Sequence, residues 1–78
     1  MKGVLYDLGQ DAGFQRWGEC TLVYENNVAS IWIDGHHYTI ACTGLVIDQE
    51  KIVLRGYVVG HPYHAAIGTP VHYAVRLN

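Results

Sequence analysis

Ile31-Trp32-Ile33-Asp34-Gly35-His36-His37-Tyr38-Thr39-Ile40 reads as a β-hairpin. Asp-Gly is a preferred filler for a two-residue type I′ turn, because Gly accepts the positive φ that the turn demands. The flanks are β-branched and aromatic, as strands prefer. The turn also fixes a register. Ile33 faces His36, Trp32 faces His37, Ile31 faces Tyr38 and Ala29 faces Ile40.

Working outward, Asn26-Asn27 supplies a second two-residue turn, since Asn tolerates positive φ. It sets Tyr24 opposite Ala29, Leu22 opposite Ile31 and Cys20 opposite Ile33. The two turns agree on how the faces sort. One face collects Cys20, Leu22, Tyr24, Ala29, Ile31, Ile33, His36, Tyr38, Ile40 and Cys42, which is a core. The other collects Glu19, Thr21, Val23, Glu25, Val28, Ser30, Trp32, His37, Thr39 and Ala41. This is a solvent face with a large exception, Trp32.

Strand signals run nearly end to end, at about Lys2–Leu8, Glu19–Tyr24, Val28–Ile33, His36–Cys42, Leu45–Ile47, Lys51–Val59 and Val71–Leu77, with no amphipathic helix. Several short strands with turn residues between them predict an all-β domain. The expected architecture is an antiparallel meander of six to seven strands, closed or strongly bent into a barrel or two-layer sandwich. Gly44 and Gly56 suit bulges or sharp bends within it. A turn at Gln49-Glu50 places Leu45, Ile47, Ile52, Leu54 and Val58 inward, and Val46, Lys51, Val53, Arg55 and Tyr57 outward. Val71, Tyr73, Val75 and Leu77 point inward from the last strand, and His72, Ala74 and Arg76 outward. Gly9–Gly18 and Gly60–Pro70 are expected to be irregular.

At 78 residues the chain forms one domain. Only 15% of residues are charged while 50% are apolar, against roughly 25% charged in an average domain. A small chain has much surface to cover, so the shortage predicts that another molecule covers some of it. Self-association, most simply as a two-fold dimer, or docking on a foreign protein is expected. The five Lys and Arg stand at positions 2, 16, 51, 55 and 76 with a net charge of −2, and they form no run. Nucleic-acid affinity needs clustered cations, so nucleic acid is not the favoured partner. The apolar opening is broken at Asp7, as no secretory signal would be. No apolar run approaches the ~20 residues of a spanning helix. A cytoplasmic protein without membrane contact is therefore expected.

Candidate chemistry is sparse. Cys20 and Cys42 fall at opposite ends of the sheet and are read as buried, reduced thiols. His61, His64 and His72 form an alternative metal site, although nothing in their spacing forces three ligands together. The sole candidate triad is Ser30, His37 and Glu19, on a flat sheet face without a cleft to exclude water. Neither enzymatic activity nor a cofactor is expected. Gly9–Gly18 lacks the Lys-Ser/Thr ending of a phosphate-binding loop. Phe14 and Trp17 within it serve as plugs for the barrel end or, with Arg16, as an alternative nucleic-acid platform. The reading that remains is a binding module, in the style of the small inhibitors and adaptors of phages and mobile elements. Its partner-binding residues are Trp32, His37, Val23, Val53, Arg55 and Tyr57, because exposed aromatics and Arg dominate interface hot spots.

Overall fold

A computed structural model describes residues 1–9, 15–61 and 66–78. Six strands follow in chain order: β1 (Lys2–Asp7), β2 (Gln15–Glu25), β3 (Val28–Ile33), β4 (His36–Ile47), β5 (Lys51–Gly60) and β6 (Pro70–Leu77). Each pairs antiparallel with the next, and β6 returns to β1, closing a barrel.

The two short turns do what their residues dictate. Asn26 and Asn27 have φ of 53° and 64°, and Asp34 and Gly35 have 50° and 76°. Positive φ at both central positions is the type I′ signature. The predicted registers follow: Cys20 opposes Ile33 and Tyr24 opposes Ala29, while Trp32 opposes His37 and Ala29 opposes Ile40.

Every strand sends at least one side chain into the barrel. Leu5, Leu22, Ile31, Ile40, Ile52, Leu54 and Val75 are all less than 2% exposed. Together with Cys20, Ala29, Ile33, Val58 and Tyr73 they form one core cluster. A small barrel is filled by its own side chains in this way and leaves no central channel.

Bulges bend the sheet enough to close it. The stretches read as two strands, His36–Cys42 and Leu45–Ile47, are one strand. The register shifts between Cys42 and Gly44, so Thr43 is the extra residue and pairing continues to Ile47. Gly56 sits opposite this bend, against Cys42, and a Cβ there would collide with the carbonyl oxygen of Ala41. A second shift falls between Leu5 and Tyr6, where Trp17 is the extra residue on β2. Gly18 beside it has φ of 138°. The Gly-rich segment expected to be irregular therefore resumes pairing at Gln15, because the bulge absorbs the bend without ending the strand.

Four expectations about burial are corrected. His36, expected on the core face, is exposed beside the Asp34-Gly35 turn. Ile47 pairs with the buried Ile52 but is 67% exposed, since it stands where β4 runs past the rim of the core. Cys42 is only partly buried beside the Thr43 bulge, whereas Cys20 is buried. Ala74 faces outward yet is buried, because it is small and lies between Tyr6 and Val53.

Candidate functional site

The strands alternate in direction, so the connections sort to two ends. Asp7, Gln15, the Asp34-Gly35 turn, Gly60 and Pro70 share one end. Several inward-facing side chains near this end are aromatic. Trp17, displaced by its bulge, lays its ring 5.5 Å from Tyr73 and 6.3 Å from Tyr38. The His61 ring lies 4.6 Å from that of Tyr38. Trp17 thus packs beside Tyr73 and Tyr38 at the barrel end while staying 40% exposed.

Beside these rings is a recess of about 890 Å³. The described residues lining it include Asp7, Trp17, Arg55, Tyr57, His61, His72 and Tyr73. The fold therefore gathers residues that sequence reasoning had assigned to three different sites. Asp7 accepts a hydrogen bond from the Gly9 N–H at 2.9 Å, which ties the chain back as it leaves β1. Tyr73 is 6% exposed, and its phenol is pushed up to about 12, first by burial and then by the nearby charges of Asp7 and Tyr38. His61 and His72 share the recess. Even so, among the described residues no three His, Cys, Asp or Glu side chains come together to hold a metal. His64 and Phe14 lie outside the described residues.

The second candidate is the outer face of β2–β4. Trp32 is 44% exposed and stacks flat on His37, with ring centroids 4.5 Å apart and planes within 1°. The stacking is a cross-strand pair of the kind that rigidifies an antiparallel sheet. Val23 is 47% exposed, and its partner across the sheet is Ser30, one outward position from Trp32. These three form a single patch. Val53, Arg55 and Tyr57 do not join it. They stand on β5, where even Tyr57 pairs with Ala41, four residues along β4 from His37. Tyr57 is 50% exposed but Val53 is half-buried against Ala74. The curvature of the barrel thus divides the six proposed partner-binding residues between two surfaces.

His37 donates its face to Trp32, and Ser30 lies across from Thr39, one outward position along β4 from His37. Glu19 is on β2 near the Asp34-Gly35 end. Both thiols are free, and burial pushes Cys20 and Cys42 above the ordinary thiol range. Neither is activated as a nucleophile would be. No helix among the described residues is long and apolar enough to cross a membrane. Comparison with protein-family models, with curated proteins and with solved structures found no match to this chain.

Proposed function

We propose that this barrel is a non-enzymatic binding module, of the inhibitor or adaptor kind, that docks on another protein or on a second copy of itself through the β2–β4 face. The observation that carries this reading is Trp32: a half-exposed indole held flat on His37 by a two-sided register, with Val23 beside it. A closed barrel has no free strand edge, so it cannot recruit a partner by adding a strand. Recognition must run through outward side chains, and a rigid aromatic is an economical anchor because little side-chain entropy is lost on docking.

The test separates docking from folding. Trp32→Ala removes an outward indole, so the melting temperature stays close to wild type. Its loss from an interface centre costs 2 kcal/mol or more, about thirtyfold in affinity. Light scattering at micromolar concentration gives the mass, with wild type expected above 8.7 kDa and Trp32→Ala shifted toward monomer. If wild type is monomeric, the same comparison is made on the affinity of the protein that co-purifies with it. Ile31→Ala, one residue away and fully buried, should instead cost about 2–5 kcal/mol of stability by opening a cavity. An unfolded Trp32→Ala, or one that associates as tightly as wild type, would overturn the proposal.

A further inference from the structure

The five Lys and Arg are scattered along the chain but not around the barrel. The outward positions of β5, β6 and β1 hold Lys51, Arg55, Arg76 and Lys2, with His72 among them and no Asp or Glu. The fifth, Arg16, pairs with Tyr6 and borders the same face. The register stacks them in rows. Lys51 faces Arg76, and Arg55 faces His72. Between these rows runs Val53–Ala74–Tyr6–Arg16, and above them Tyr57 faces Pro70. Lys51, Arg55 and Arg76 are exposed, and Tyr57 is 50% exposed.

Like charges directly opposite across a sheet are destabilising. The chain nevertheless places Lys51 against Arg76. Glu50 at the β4–β5 connection shares a shallow recess with that pair, and Glu19 lies beyond Val4 on β2. Glu50 and Glu19, with Asp48, whose N–H donates to the Lys51 carbonyl, and Asp7, which lines the recess that Arg55 and His72 share, mark the border of the face. Glu25 and Asp34 lie toward β2 and β3, across a molecule measuring 33 × 28 × 24 Å. Charges exposed more than about 8 Å apart are largely screened at physiological ionic strength. The net charge of −2 therefore does not describe what an approaching anion meets here.

We infer that the β5–β6–β1 face binds single-stranded nucleic acid. Cations in rows, with a half-exposed Tyr57 beside them, match a phosphate backbone with bases available for stacking. The convex face offers no element to enter a duplex groove, but a flexible strand can lie along it. A phosphate between Lys51 and Arg76 relieves their repulsion. This inference stands apart from the Trp32 face, and either can fail without the other.

Fluorescence anisotropy with a labelled oligo-dT of about 12 nucleotides tests it. Four phosphate contacts on a single strand give a slope of log K against log salt of about −2.8, or about fiftyfold weaker binding from about 50 to 200 mM salt. Arg55→Gln with Arg76→Gln should reduce the slope to about −1.4 and the loss to about sevenfold. Tyr57→Ala should weaken binding and leave the slope unchanged. Ser30→Ala, on the far side, should match wild type. Thermal melts establish that each variant is folded. Absence of binding at low salt would overturn the inference, as would an affinity indifferent to the double substitution. Polyglutamate that displaces the oligonucleotide as well as unlabelled oligo-dT does would also overturn it, and would make an acidic protein the partner.

Discussion

Tyr73 shows how one residue ties the core to the recess. Its ring is packed in the core cluster, with Trp17 across it. The residue also lines the recess that Asp7 borders. Burial and the neighbouring charge disfavour the phenolate in the folded state, so the folded pKa of about 12 lies above the ordinary value of 10. Below pH 10 the phenol is protonated in folded and unfolded chains alike, and its contribution to stability is fully present. Above that, the unfolded chain loses the proton first, and the contribution is lost as pH rises toward 12. Denaturation midpoints should therefore fall between about pH 10 and 12, and Tyr73→Phe should show a shallower fall. An equal slope in both proteins would mean that Tyr73 does not retain its proton in the fold.

At the scale of elements, bulges and cross-strand pairs decide what the barrel looks like. Thr43 in β4 and Trp17 in β2 are each an unpaired extra residue, and each bends its strand. One bend brings Gly56 against the Ala41 carbonyl; the other swings the indole over the barrel end. The β5–β6 ladder carries the opposite kind of feature, the Lys51–Arg76 pair, which works against its own strands. Cross-strand pair effects are roughly 0.2–1 kcal/mol. Arg76→Thr removes the repulsion and adds a β-branched residue suited to a strand. It should hold or raise the melting temperature by up to a few degrees, while weakening oligo-dT binding. A melting temperature that drops instead would show that Arg76 is held by a stabilising contact.

The strands form a closed ring, and closure bears on how the chain folds and on which edges it leaves open. Five of its strand pairings join neighbours through connections of two to about nine residues, but the β1–β6 ladder pairs Gly3 with Leu77. Backbone bonds finish the seam: the Leu8 N–H donates to the His72 carbonyl and the Asn78 N–H to the Lys2 carbonyl. Such long-range pairing must overcome a large loop-closure entropy before it is rewarded, which places small barrels in the slow class, about milliseconds to seconds. Stopped-flow Trp fluorescence should show refolding on that scale. Refolding within microseconds would mean that closure is not the limiting step. Once closed, the barrel has no strand edge to aggregate through, so an outer face can carry exposed Trp32 or Tyr57 without offering a template to other chains.

Short-range features were legible in the sequence because their causes are local. Asn26-Asn27 and Asp34-Gly35 fix turn type by backbone sterics alone, and turn type fixes register, so the inward and outward sets of β2 to β4 follow from a dozen residues. The same alternation placed Ile52, Leu54, Tyr73 and Val75 in the core. It could not find the rim, so Ile47 was assigned inward on periodicity, although the barrel's length leaves it exposed. The bend at Gly44 and Gly56 was legible from the glycines themselves, but the Trp17 bulge was not, because an extra residue is defined by its partner strand. Only closure decided the surfaces. It separated Trp32 from Val53 and Tyr57, which a flat sheet would have let stand together. It gathered Trp17, His61 and His72 around one recess, and it brought Lys51 and Arg76, twenty-five positions apart in the chain, side by side. Charge and exposure at a surface depend on which strands are neighbours, and strand neighbourhood is settled by long-range pairing that no local pattern encodes.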